Sequence, residues 1–265
     1  MLEIARYEAE KRSRGTAALA VGLGVLAVFF VAFFPSFEAS GIDFDSYVEA
    51  YPPAVQEAFG IASLNTIEGF LAVEVYQFLW LLLLGLYFAY SAGGLIASDV
   101  ERDRMDLTLS LPVSRSHVLG EKFASLLVPI LALNVVVPVV VYAGVLAIDQ
   151  SIAVADLAAV HLLSIPYLLA CGAIGLVLST LVDRADVAKR IAIAAVFVLY
   201  LIESIAASTD GLEWVGAISP THYYDPTAIL VEGSYDLAGA ATLLAATALL
   251  VLVARSRFQR ADVGA

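Results

Sequence analysis

Six long apolar runs constrain this chain more than any other feature. They are Thr16–Phe34, Val75–Ala97, Phe123–Ile148, Leu157–Val182, Ile191–Ala207 and Leu237–Ala254, of 19, 23, 26, 26, 17 and 18 residues. A helix needs roughly 20 apolar residues to cross the hydrocarbon of a bilayer. Inside that layer every backbone N–H and C=O must be bonded within the protein, which leaves helices or closed barrels. Barrel strands would alternate polar and apolar residues over about ten positions, and these runs do not. Charged residues make up only 15% of the 265, against about 25% in a soluble domain. The predicted fold is therefore all-α: a polytopic membrane protein with six transmembrane helices.

Charge placement orients those helices. Alternating the loops puts 1–15, 98–122, 183–190 and 255–265 on one side, and they hold all 14 Lys and Arg. The segments 35–74, 149–156 and 208–236 fall on the other side and hold none. Basic residues stay on the cytoplasmic face, so both termini are expected to be cytoplasmic in a multi-pass plasma-membrane protein. The basic side also carries 11 acidic residues, a net +3, while the opposite side carries 14 with nothing opposing them. Glu203, inside the fifth run, completes the 26. The net charge of −12 thus belongs to the outer surface. It reads as adaptation to high salt or as a funnel for cations. The carboxylates are spread along the loops rather than clustered, which favours the first reading.

The domain organisation follows. Residues 1–15 read as a short interfacial helix, with Leu2, Ala5 and Ala9 on one face and Arg6, Lys11, Arg12 and Arg14 toward headgroups. Residues 16–254 form the six-span domain and 255–265 a cytoplasmic tail. In the outer segment 35–74, broken by Pro35, Gly41 and Pro52-Pro53, short surface helices fit 47–50 and 54–62. In segment 98–122, Ser98 and Glu101 have the spacing of a capping box. Pro112 ends the short charged helix that follows, because the residue before proline avoids the α region, and Ser114 can cap the next. Pro129 and Pro138 predict kinks in the third span. Cys171, Gly175 and Ser179 recur every four residues on the fourth, a small-residue stripe that lets another helix approach. Ser219-Pro220 and Asp225-Pro226 each read as an N-cap followed by proline, predicting short outer helices before the sixth span.

Several chemistries are absent from the sequence. No Gly-x-x-x-x-Gly-Lys-Ser/Thr run exists, so this chain has no phosphate-binding loop for ATP. There is no His-Glu-x-x-His, and no cofactor is expected on the chain itself. Cys171 is the one cysteine, which excludes a disulfide framework. His161 with Ser164, or His222 with Asp225, are pairs too sparse to make a hydrolase or a metal site. Glu203 reads equally as a functional intramembrane acid and as a hydrated residue near the interface. Asn134 reads as helix-packing glue.

Two segments carry a resemblance. The stretch Glu101–Ser116 (Glu-Arg-Asp-Arg-Met-Asp-Leu-Thr-Leu-Ser-Leu-Pro-Val-Ser-Arg-Ser), followed by Gly120-Glu121-Lys122, resembles the first cytoplasmic loop of type-two ATP-binding-cassette (ABC) permeases. Many members carry Gly-Thr where this chain has Arg104-Met105. Ser219–Pro226 (Ser-Pro-Thr-His-Tyr-Tyr-Asp-Pro) is similar to that family's stretch before the last helix. The resemblance implies a permease subunit that dimerises, with itself or a paralogue, and recruits separate nucleotide-binding subunits holding ATP and Mg. It implies an exporter whose loop after the second span is a coupling helix. Glu101, Arg102, Arg104, Met105, Asp106, Leu107 and Leu109 are then the expected ATPase contacts, and Tyr223, Tyr224, Asp225 and Glu203 the outer gate. No nucleic-acid partner is implied. The competing readings are a secondary transporter and a membrane scaffold. The spans offer Glu203 and no Lys or Arg as coupling groups, which disfavours the former.

The orientation is testable directly. A cysteine at Arg104 is expected to resist a membrane-impermeant maleimide applied to intact cells and to react after permeabilisation. Labelling from outside would invert the topology.

Overall fold

The computed structural model describes residues 3–39, 64–110, 112–209 and 211–260. The short helices expected at 47–50 and 54–62, the turn residue Leu111 and the last five residues of the tail lie outside them. Six helices are long and apolar enough to cross a membrane: Glu3–Glu38, Ile67–Val100, Arg115–Ala147, Val154–Ser179, Ala185–Ala207 and Leu237–Arg260. No strand occurs among the described residues. These six are called the first to sixth spans below. The end carrying the basic residues is the basic end, and the opposite one the acidic end.

The fourth span is the hub. It packs on the second, the third, the fifth and the sixth, while the first packs mainly on the third. Of the most apolar window of each helix, 61% is buried in the second and fourth spans but only 17% in the fifth. The fifth span therefore presents most of its surface to lipid or to another chain. Close approach explains the hub. A Cβ on Gly175 would collide with the carbonyl of Ala89 and lie 3.0 Å from the Gly93 nitrogen. The small-residue stripe thus seats the second span directly against the fourth. Ser179, at its end, does more than leave space. Its hydroxyl oxygen accepts from the amides of Ile96 and Ala97 at 2.9 and 3.0 Å.

Those amides are free because the second span is interrupted. It begins with a hydroxyl cap, Thr66 accepting from the Gly69 amide. It then widens into a π-helix over Ala72–Leu84, a geometry that rarely extends beyond a single turn. Tyr167 donates to the Leu81 carbonyl of this stretch at 2.8 Å. Gly85 admits the ring: a Cβ there would stand 2.5 Å from the tyrosine oxygen. The α-helix Gly85–Gly93 follows, then a turn, then a single helical turn at Ala97–Val100. The capping box expected from Ser98 and Glu101 does not form. Ser98 lies inside that last turn, and the Ile96 and Ala97 amides take their acceptor from Ser179 instead.

Other local expectations resolve in three ways. Residues from Glu3 onward are not a separate interfacial helix: one helix runs unbroken from Glu3 to Glu38, with Pro35 in its last turn. The third span breaks at Ser125-Leu126, between Arg115–Ala124 and Leu127–Ala147. Pro129 therefore falls in a first helical turn, where its missing N–H costs no bond, while Pro138 is carried inside the helix. At the acidic end the punctuation holds. Ser219 accepts from the Thr221 amide and opens a short 3-10 helix, Pro220–Tyr223. Asp225 accepts from the Thr227 and Ala228 amides and opens Pro226–Glu232. Gly233 closes that helix with φ +63°, where glycine carries no Cβ penalty.

Between the second, third and fourth spans lies a buried polar chain. Tyr76 bonds His161 Nε2 at 3.0 Å, His161 Nδ1 lies 3.2 Å from Asn134 Oδ1, and Ser164 donates to the same oxygen at 3.0 Å. His161 and Ser164 are thus spent on helix packing, and Asn134 is the glue that joins the third span to the fourth.

Gly175→Ala is expected to destabilise the detergent-solubilised chain by about 1–3 kcal/mol, the usual range for overpacking. Gly22→Ala, where an added Cβ meets nothing within 4 Å, should be neutral or slightly stabilising. Thermal unfolding of the two variants checks both.

Candidate functional site

The basic end is organised around one buried ammonium. Lys122, on the short helix that leads into the third span, is 3% exposed. Its Nζ lies 2.8 Å from Glu8 Oε1 on the first span and 2.5 Å from Asp99 Oδ2 at the end of the second. Asp99 turns its other oxygen to Arg104 Nη2 at 2.6 Å. A charge this deep requires partners, because an isolated buried ion is prohibitively costly. Here one ion-pair network ties three separate elements together. Neighbouring contacts reinforce it. Glu121 accepts from the amides of Ile4 and Ala5, which are unbonded donors in the first turn of the first span. It also pairs with His117 at 2.6 Å. The expected amphipathic face of residues 1–15 is therefore turned inward at Glu8.

This network clamps the short helix Arg104–Leu109. The chain reaches it through Asp103, which takes φ +53°, a left-handed conformation that Asp tolerates better than most residues. The seven expected coupling residues then separate. Met105 is 1% exposed and packs into the core rather than on the surface of the helix. Leu109 packs partly against that core. Arg104 is engaged by Asp99. Glu101 accepts from the Ala185 amide at 3.2 Å, which supplies an acceptor for the start of the fifth span. Arg102, Asp106 and Leu107 are exposed. Leu107 is 71% exposed, a bare apolar side chain on a rigidly held helix. Ser114 caps the next helix as expected, accepting from the His117 amide at 3.2 Å. Arg115 and Ser116 then reach the sixth span, Arg115 donating to the Phe258 carbonyl and Ser116 accepting from Arg255 and Gln259. Sequence reasoning missed Glu8, Asp99 and Lys122 as a unit. The one signal was a lysine and two acids near the ends of long apolar runs.

At the acidic end the four expected gate residues are brought near one another with different duties. Glu203 Oε1 lies 3.2 Å from His222 Nδ1, linking the fifth span to the 3-10 helix. Asp225 is occupied as a helix cap, so His222 and Asp225 do not face a shared ligand. Tyr224 is buried, donates to the Val160 carbonyl at 2.9 Å and stacks on Tyr167. Tyr223 donates to the Ala217 carbonyl. Tyr235 hydrogen-bonds Asp156, and that bond raises the phenol's pKa.

A lateral cleft of about 570 Å³ opens between the π-helical stretch and the fifth span. Glu74, Gln77, Tyr200 and Ser204 give it a polar side, and Phe78, Leu82, Phe197 and Leu201 an apolar one.

A family model described as "ABC-2 family transporter protein" matches residues 2–263. The chain belongs to the ABC-2 transporter family. A comparison with curated proteins gave no match. Membership makes this chain the membrane-spanning permease component of an ABC transporter, and the match covers all six spans together with the clamped hairpin between the second and third. The short helix Arg104–Leu109 lies within the matched range.

Lys122→Met is expected to cost about 3–5 kcal/mol, since Glu8 and Asp99 lose the buried cation they share and keep only Arg104 on Asp99 and the more distant Lys11 and Arg12 near Glu8. Replacing all three, Glu8→Gln, Asp99→Asn and Lys122→Met, should recover most of that loss. Thermal melts of the single and triple variants decide it.

Proposed function

We propose that this permease is the membrane half of a dimeric, ATP-driven exporter, energised by separate ATPase subunits that dock on its basic end. The observation that carries the reading is Leu107. An exposed leucine on a helix held by a buried ion-pair network is a built docking point: the network keeps the helix from yielding, and the leucine offers apolar area. Force applied there passes through Arg104 and Asp99 to the second span, through Lys122 to the third, and through Glu8 to the first. The basic end lies in the cytosol on this reading, with both termini on the cytoplasmic side of the plasma membrane and ATP and Mg bound on the partner.

Arg102 and Asp106 join Leu107 as the expected contact surface. The largely unburied fifth span supports dimerisation, with a like or paralogous chain covering it. The cleft between the second and fifth spans would then face the partner and form part of the path. Its mixed lining suits an amphiphilic cargo. At the far end, the Glu203–His222 pair and the Tyr223–Tyr224 segment would form the outer gate.

Leu107→Asp is expected to abolish co-purification of a nucleotide-binding subunit while leaving the melting temperature of the permease unchanged. Met105→Asp should instead unfold the basic end, because it places a charge in the core. Full retention of the ATPase by the Leu107 variant removes the docking assignment.

A further inference from the structure

A cavity of about 250 Å³ opens at the basic end, bounded by the first, second and fifth spans and by the clamped hairpin. Six of its lining side chains are cationic (Lys11, Arg12, Arg102, Arg104, Lys122 and Lys189) and two, Glu8 and Asp99, are carboxylates. The carboxylates are already committed: Lys122 sits between them and Arg104 holds Asp99. That leaves a surplus of positive charge around an open space. Among the described residues, Arg102 and Lys189 have no ion-pair partner. The Nε atoms of Arg12 and Arg104 are buried without a hydrogen-bond acceptor; Arg12 Nε stands 4.0 Å from the nearest Glu8 oxygen, too far to donate. Buried donors of this kind normally find an acceptor.

The backbone makes room for one of these cations. Gly94 has no Cβ, and one built there would collide with the Lys189 side chain. Lys189 Nζ rests over the Tyr90 ring, 5.2 Å from its centroid. The ammonium is thus placed on the cavity wall by the absence of a side chain at 94 and by an aromatic face.

We infer that this cavity binds a phosphate-bearing anion, supplied by the headgroup of an anionic phospholipid in the leaflet at the basic end. Basic pockets between transmembrane helices at the membrane surface have the chemistry to hold such headgroups. Guanidinium donors match phosphate oxygens in pairs, and Arg12, Arg102 and Arg104 line this space together with the Lys189 ammonium. A headgroup held there touches the first, second and fifth spans together with Arg104, so lipid occupancy would stiffen the end of the second span. The inference is independent of the ATPase partner and concerns the permease alone.

The test uses the purified chain in nanodiscs of phosphatidylcholine, with and without phosphatidylglycerol, read by native mass spectrometry and thermal unfolding. Wild type is expected to retain phosphatidylglycerol selectively and to melt higher in its presence. Arg12→Gln with Lys189→Gln should weaken retention about tenfold or more, from the contribution of two basic groups, and Arg12→Lys with Lys189→Arg should restore it. Arg190→Gln, an exposed cation off the cavity, should change nothing. Inorganic phosphate added to phosphatidylcholine discs separates the sources. No rise in melting temperature assigns the site to lipid, whereas protection equal to phosphatidylglycerol keeps the phosphate site and moves its ligand to solution. Undiminished retention by the double glutamine variant, or equal loss in the Arg190 variant, overturns the inference.

Discussion

The basic end of the molecule depends on one ammonium group. Lys122 is surrounded by protein, so its charge is tolerated only while Glu8 and Asp99 remain beside it. Each of the three residues stands on a different element, and among the described residues Lys122 has Glu8 and Asp99 as its counter-charges. A buried ion pair of this kind is weak evidence of stability, since apolar residues of similar size often do as well. What it supplies is geometry. Apolar helix faces tolerate sliding and rotation, but a bidentate arrangement of one lysine and two carboxylates is met in one register only. The hairpin after the second span therefore has a fixed place relative to the first and third spans.

The opposite end is held differently. Neutral hydrogen bonds and rings dominate there: Tyr224 to the Val160 carbonyl, Tyr223 to the Ala217 carbonyl, and Tyr167 stacked on Tyr224. Between the two ends the fourth span acts as the common surface, brought into close contact with the second by Gly175 and coupled to it by Ser179 and Tyr167. The second span is the least regular of the six, with a π-helical stretch, a turn and a single final helical turn. Its irregularities coincide with side chains of the fourth that meet its backbone: Tyr167 at the Leu81 carbonyl and Ser179 at the Ile96 and Ala97 amides. A span whose backbone bonds are completed by its neighbour shifts when that neighbour does.

The hairpin shows how much of a site a sequence reveals. Its charged composition, Pro112 and Ser114 marked a short helix, a turn and a re-entry, and among the described residues the short helix Arg104–Leu109 and the Ser114-capped helix Arg115–Ala124 are present. The roles within it were not legible. Arg104, Met105 and Leu107 look alike as surface candidates in a charged segment, yet one is ion-paired, one is core and one is bare. Helical phase alone could not separate them, because the helix spans Arg104–Leu109, too short for a periodicity to register, and its orientation is set by contacts with Asp99. The capping box failed for a related reason. Ser98 and Glu101 have the right spacing, but Ser179 on a helix about eighty residues away reached the free amides first.

By itself the sequence determined the number of spans and the segregation of basic from acidic ends. Both follow from the length of apolar runs and from where charges stand along the chain, properties that the bilayer tests one segment at a time. It also determined the caps at Ser114, Ser219 and Asp225, because those bonds are local. The tertiary structure alone decided which helix is the hub, where the second span widens, how Lys122 finds Glu8 and Asp99, and which residue of the hairpin is left exposed. Each of those depends on groups far apart in the chain meeting in space, and spacing along a sequence does not encode such a meeting.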